Sequence, residues 1–450
     1  MSIRTPTLLR SWPFCRTAVA PASRRLLELG PARGRRYKTQ TTLLSFFSQL
    51  LPSAGAWRIL VSFALLLLSG PFLQAEPALL PAPLETLCKL GFKSLYSMDY
   101  AGARAHFEEM TRFDPKHPAG FVYLASAVWL EQLSSLRRLQ SQIYNRNNAF
   151  FTAGQDSANP TVERSFYKNV EKGIARAEAR IKTDNRDLAG LYYLGIAHGA
   201  IAGYESTVKR AFLSSMKNGT KAVDLHKKVL KLYPGFADAY VSVGTYNYVV
   251  GTLPFAAKLF LLLGGVHGSK VEGLKQLEKA ASDGIFARDE ASVILAVLYD
   301  REKRYEDAWN ILRKLSEKYP RNCVFRFETA TMLSKMGRSA ESIAIYEDLM
   351  KDEAARNYML DLIHFEYAEI LFSQQSWQKA YQHYLMARRV LENTPEGLIS
   401  MTHLRAGLCL NAMRRDQEAS VEYRFVLNQR SVNGSHDLAK RFLKKPFRAR

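Results

Sequence analysis

Residues 305–320 read YEDAWNILRKLSEKYP. At 3.6 residues per turn, Ala308, Leu312 and Leu315 share one helical face, and Pro320 ends the run because it cannot donate the next backbone hydrogen bond. The same frame recurs along the chain. DYAGARAHFEEMTRFDP (99–115) aligns Ala103, Phe107, Met110 and Pro115, and TKAVDLHKKVLKLYP (220–234) aligns Ala222, His226, Val229 and Pro234. SAESIAIYEDLM (339–350) gives Ser342, Tyr346 and Leu349; WQKAYQHYLMA (377–387) gives Ala380, Tyr384 and Ala387; QEASVEYRFV (417–426) gives Ala419, Tyr423 and Val426. Two weaker copies centre on Gly173, with Ala177, and Gly273, with Leu277 and Ala280. Successive centres are separated by 70, 49, 51, 35, 34, 38 and 39 residues.

Each centre has a small residue before it. In five copies it stands twelve positions earlier: Gly91, Ala296, Ala330, Ala368 and Gly407. In three others the matching residues, Ala125, Gly195 and Gly244, stand 48, 27 and 29 positions before their centres. Small residues let paired helices approach, the bulky residue four positions on fills the space beyond, and stacked pairs bury a face that no single pair can bury alone. The pattern resembles the tetratricopeptide repeat, a helix–turn–helix unit of 34 residues. The resemblance covers about residues 84–428 and rests on Leu90-Gly91, Ala103, Phe107 and Pro115 in the first copy and Tyr299, Ala308 and Pro320 in the fifth. It implies an all-α, right-handed α-solenoid of about eight helical hairpins. Gly173 and Gly273 depart from it, since alanine is usual there.

The three stretched units carry their extra residues at one topological point, between their two helices, and equivalent insertions in a stacked array emerge on one edge. The first includes WLEQLSSLRRLQSQIYNRNNAFF (129–151), which predicts an extended first helix before a loop at 153–160; the second is HGAIAGYESTVKRAFLSSMKNG (198–219). The third, GTLPFAAKLFLLLGGVHGSK (251–270), invites a phosphate-loop reading. That loop needs Gly-Lys-Ser/Thr between a strand and a helix, whereas Gly268, Ser269 and Lys270 run in another order after a helical segment. A membrane span fails as well: Pro254 to Leu263 is ten residues and contains Lys258. A short apolar helix remains, opened by Pro254 and closed by Gly264-Gly265. Its Phe255, Leu259, Phe260 and Leu263 either pack on the two earlier insertions or form an apolar ledge for a partner or a membrane surface. YNYVVGTLP followed by LLLGG is also similar to the inclusion-body-clearance family of tetratricopeptide proteins, a family associated in eukaryotes with the mitochondrial outer membrane, and to bacterial proteins of like layout.

No reaction centre is legible. The nine histidines are scattered, no zinc, kinase or nucleophile-elbow signature occurs, and no cofactor or metal is implied. Cys15, Cys88, Cys323 and Cys409 form no CxxC pair, and the odd number beyond residue 75 argues against a disulfide framework. Acid pairs such as Glu108-Glu109 and Glu306-Asp307 read as solvated helix faces. Some tetratricopeptide domains clamp a peptide carboxylate with Lys and Asn on the first helix of each unit; Cys88/Phe92, Tyr192/Ile196, Val241/Thr245, Val293/Val297, Phe327/Thr331 and Leu404/Leu408 stand there instead. The expected partner is therefore an apolar helix or extended protein segment, with Tyr192, Tyr240, Asn247 and Phe327 lining its groove and Phe255, Leu259 and Phe260 offering a second contact.

The charge of +21 on 450 residues is uneven. Residues 1–75 hold ten Lys or Arg against Glu28; the remaining 375 residues carry +12, without the aromatic-interleaved basic motif of a nucleic-acid binder. ILVSFALLLLSGPFLQA (59–75), preceded by Arg58, has the layout of a secretory signal, while the Arg-rich stretch upstream also suits a mitochondrial transit peptide. The expected organisation is a leader over 1–75, interrupted repeats over 76–285, regular repeats over 286–428 and a basic cap over 429–450. The expected role is a non-catalytic protein-interaction scaffold exported to the bacterial periplasm or envelope; the alternative is a membrane-associated protein, in mitochondria or otherwise anchored, that uses the 253–263 insertion and the basic tail.

Overall fold

A computed structural model describes residues 78–141, 159–253, 267–388, 394 and 396–448. The chain divides into two compact units, Met1–Pro77 and Ala78–Arg450. The first unit, and with it the leader, lies outside the described residues, as do Phe255, Leu259 and Phe260. The second is an all-α solenoid of helical hairpins, with no strand among the described residues.

Eight hairpins follow one another: α1 (Ala82–Tyr96) with α2 (Tyr100–Phe113), α3 (Ala119–Ser135) with α4 (Pro160–Thr183), α5 (Leu188–Thr207) with α6 (Phe212–Leu232), and α7 (Tyr240–Thr252) with α8 (Lys270–Asp283). Then come α9 (Arg288–Arg301) with α10 (Tyr305–Lys318), α11 (Cys323–Lys335) with α12 (Ser339–Lys351), α13 (Glu353–Ser373) with α14 (Trp377–Ala387), and α15 (Glu396–Ala412) with α16 (Asp416–Leu427). A last helix, α17 (Ser435–Lys444), packs Leu438, Phe442 and Leu443 over the apolar end of the array, and Arg448 pairs with Asp416, so the basic tail is a cap.

The small residues stand where the helices touch. Ala103, Ala125, Ala308, Ala330, Ala368, Ala380 and Ala419 are fully buried. At Gly91 a Cβ would lie 2.2 Å from the Phe107 ring, and at Gly195 it would lie 2.2 Å from His226 Nε2. The bulky residue of the second helix thus occupies the volume that the first helix vacates. Gly273 departs from alanine for a harder reason: a Cβ there would meet backbone atoms, Tyr248 N at 2.5 Å and Gly244 O at 2.6 Å. At Gly173 the obstacle is Val122 Cγ2, at 2.6 Å.

The ends of seven of the eight first helices carry a feature the sequence does not advertise. Met98, Arg137, Arg210, Lys303, Gly337, Gln375 and Arg414 have φ between 53° and 78°, yet of these seven only Gly337 is glycine. After six of them the next amide bonds back five residues, as in Asp99 N to Ser94 O at 2.9 Å and Arg304 N to Tyr299 O at 2.8 Å. That bond closes the helix end, and in five hairpins the next helix begins after three residues.

The insertions take different forms. The second becomes helix: α5 has 20 residues and α6 has 21, against 14 each in α9 and α10. The first prolongs its helix only a short way: α3 has 17 residues and takes in 129–135, and Arg137 then turns left-handed. The two insertions touch: Trp129 Nε1 donates to Thr207 Oγ1 at 2.9 Å, and Arg138 Nη1 donates to the Thr207 and Val208 carbonyls at 2.9 and 2.8 Å.

His226 takes the position filled by Phe107, Tyr346, Tyr384 and Tyr423 in other units. Its Nε2–H donates to the Tyr192 carbonyl at 3.0 Å, its Nδ1 accepts from Ser242, and burial lowers its pKa to about 4. The unfolded chain takes up this proton near pH 6.5, so the native state loses stability as pH falls from 6.5 toward 4, by about 2 kcal/mol at pH 5. In denaturation at pH 7 and pH 5, His226→Phe is expected to remove that part of the acid sensitivity; equal losses in both chains would show that the imidazole is not held neutral. Lys303 is exposed, and Lys303→Gly is expected to raise stability by about 0.5–1 kcal/mol in urea unfolding, since glycine relieves the left-handed strain.

Candidate functional site

Past α3, residues 136–141 cross to the other end of the repeat array. Arg137 forms a two-pronged ion pair with Asp361 on α13: Nη1 to Oδ2 is 2.7 Å and Nη2 to Oδ1 is 2.5 Å. The two side chains are 3% and 0% exposed. Thr394 Oγ1 adds a hydrogen bond to Asp361 Oδ2 at 2.8 Å. Four residues on, Ser141 donates its backbone N–H to Glu328 Oε1 at 3.0 Å and its hydroxyl to Glu328 Oε2 at 2.7 Å. Asp300 lies 3.2 Å from the same hydroxyl and is held by Lys335 Nζ at 2.5 Å. Tyr358 OH donates to the Ser134 carbonyl at 3.2 Å, and Leu139 packs against the apolar clusters of both the first hairpins and the sixth.

Asp300, Glu328 and Asp361 sit on α9, α11 and α13, the first helices of hairpins five, six and seven. All three residues are at most 5% exposed. Burial pushes the Glu328 carboxyl up, against the lowering effect of its hydrogen bonds from Ser141 and the charge of Lys335. The neighbouring turn makes the same crossing: Asn322 Nδ2 donates to the Tyr96 carbonyl at 2.7 Å, and the Tyr96 and Tyr319 rings lie 5.4 Å apart. The first helices of the regular hairpins therefore hold an irregular segment by one guanidinium, one backbone N–H and one hydroxyl.

The groove residues named from sequence fall elsewhere. Tyr192 is 1% exposed, stacked on His226 at 5.1 Å, and Phe327 is 1% exposed beside Tyr346 at 5.7 Å. Both are core, because the apolar positions of a first helix pack into the neighbouring hairpin, and neither offers surface to a partner. Tyr240 and Asn247 are half-buried, with Asn247 Nδ2 donating to Gln276 Oε1 at 2.8 Å. The acids that hold the segment at 136–141 are not singled out by sequence reasoning. Their signal is weak: Glu328 lies inside CVFRFETATML and Asp361 inside YMLDLIHF, each the single acid of a run that is mostly apolar.

Among the described residues no group of three or more His, Cys, Asp or Glu could hold a metal ion, and no helix is long and apolar enough to cross a membrane. Cys88, Cys323 and Cys409 are free and buried, with burial raising each thiol pKa.

Residues 238–420 match the family model Iml2/Tetratricopeptide repeat protein 39. Over that stretch, less than half of its length, the chain has a likeness to this tetratricopeptide-repeat family. No curated protein matches it. Among solved structures it is similar to a tetratricopeptide repeat protein from Parabacteroides merdae, at 13% identity over 71% of this chain and 98% of that one, with a TM-score of 0.30. Yeast Tom70 matches at 12% identity over 80% and 88%, TM-score 0.33. Human IFIT1, solved as a dimer with m7Gppp-AAAA, matches at 14% identity over 79% and 80%, TM-score 0.38.

Removing one member of a buried pair strands the other charge, which costs about 3–5 kcal/mol. Arg137→Ala and Asp361→Ala are each expected to lose about that much in urea denaturation, and Arg137→Leu with Asp361→Leu to lose less than either. A double variant as unstable as the sum of the two singles would show that the groups do not interact.

Proposed function

We propose that this protein is a non-catalytic scaffold that binds protein segments along the first helices of its hairpins, and that residues 1–75 carry it across a membrane into the bacterial periplasm or envelope. The observation that carries the scaffold reading is the hold of α9, α11 and α13 on residues 137–141: three consecutive hairpins grip a short irregular segment, Asp361 by the Arg137 guanidinium, Glu328 by the Ser141 backbone N–H and Asp300 by the Ser141 hydroxyl. A stacked array repeats such a surface at each unit. The export reading is supported by the basic flank and apolar run that end at Ala75, three residues before the compact repeat unit begins at Ala78.

Fractionation of the native cell with N-terminal sequencing tests delivery. A soluble envelope form starting near Glu76 is expected; carbonate-resistant pelleting with residues 59–75 intact would favour the membrane-associated alternative, and a mature start within the Arg-rich stretch would place the protein in mitochondria. Cross-linking before purification tests the scaffold itself. Cross-links from α9, α11 or α13 to one protein partner in near-equal amount are expected, and recovery of the chain without any such partner would overturn the reading.

A further inference from the structure

We infer that Asp300, Glu328 and Asp361 form a recognition site for an arginine-bearing peptide, occupied in this chain by its own residues 137–141 and open to a partner segment of the same chemistry. The inference rests on the scaffold reading and names the ligand class of that surface.

The contacts have the form of ligand recognition. Arg137 presents a planar fork to Asp361, a geometry that lysine cannot reproduce. Ser141 supplies a main-chain N–H, a group any peptide carries, to Glu328. The two anchor points are four residues apart on the segment, and their acceptors lie on successive first helices, α11 and α13. With Arg137 and Lys335 in place, two cations face three carboxyl groups; with the segment gone, Lys335 alone does. A cationic occupant is therefore favoured.

The resident segment fits imperfectly. Arg137 Nε is buried and has no hydrogen-bond partner among the described residues. A buried donor left unpaired is costly. The segment is also a connection between hairpin helices, outside the repeat frame, and the small-residue contacts at Ala296, Ala308, Ala330 and Ser342 lie within and between the hairpins, not on it. What the site selects is then a guanidinium and a main-chain N–H four residues on, and a second polypeptide bearing both competes with the residues already there.

The test uses a fluorescent, end-blocked peptide of residues 132–142, QLSSLRRLQSQ, titrated against the full chain. Ser141→Pro removes the N–H given to Glu328 and leaves every carboxylate in place; Arg137→Gln empties the Asp361 fork. Each variant that keeps the wild-type circular dichroism is expected to bind the peptide at least ten-fold more tightly than the wild type. Asp361→Asn added to Ser141→Pro is expected to abolish that gain, as is a peptide with alanine for the arginine at position 137. Folded variants that bind no better than wild type would overturn the inference and leave a purely structural clamp. Should neither variant fold, hydrogen–deuterium exchange on the wild-type chain decides: saturating peptide is expected to speed exchange across residues 136–141, and unchanged exchange overturns the inference. Loss of this site with a cross-linked partner still recovered from cells would leave the scaffold standing, whereas recovery of no partner removes the scaffold itself.

Discussion

Paired helices in this protein stand as close as they do because side chains are missing between them. At Gly91, Gly195 and Gly407 the first helix gives up its Cβ, and Phe107, His226 or Tyr423 from the second helix moves into that volume. At Gly244 and Gly273 both helices give it up and the backbones meet. A packed interior tolerates almost no change in volume at such contacts. Each hairpin leaves an apolar face that only the next hairpin can cover, so the contact inside one unit sets the stacking of all of them. The left-handed residue at the hairpin turn serves the same end: it reverses the chain fast enough to keep the small residues opposite each other.

Stacking alone would leave the first helices of the C-terminal hairpins facing solvent. Here they face Arg137 and Ser141 instead. A buried ion pair gives little net stability, because desolvation offsets the Coulomb attraction, but it penalises heavily any arrangement that leaves one partner alone. Arg137 and Asp361, 224 positions apart, therefore act as a register lock between the early and late hairpins. The kink in α13 at Met359, where the backbone leaves helical geometry, lies two residues before Asp361. The 38-residue step between the sixth and seventh centres holds the extra residues of that helix.

The chemistry of the site explains why its residues were hard to read. Tyr192 and Phe327 carry the apolar character of a groove, yet an apolar residue on a first helix is also what the neighbouring hairpin needs, and the core takes both. Asp300, Glu328 and Asp361 carry the character of a wet surface, and a carboxylate declares itself buried only when its cation is known. That cation sits in an insertion whose length breaks the repeat, so the frame that located every hairpin gave no alignment for it.

Everything repeated at a spacing of some tens of residues was decided by the sequence alone: the hairpins, the eight contact points, the order of regular and interrupted units, and the helix that closes the C-terminal end. These follow from helical periodicity and side-chain volume, which act between near neighbours. The tertiary structure alone decided that the first insertion would leave its helix at Arg137, that its segment would lie on α9, α11 and α13, and that three acids would be buried there. Burial of a charge depends on a partner that no local pattern specifies, and for Asp361 that partner is more than two hundred residues away.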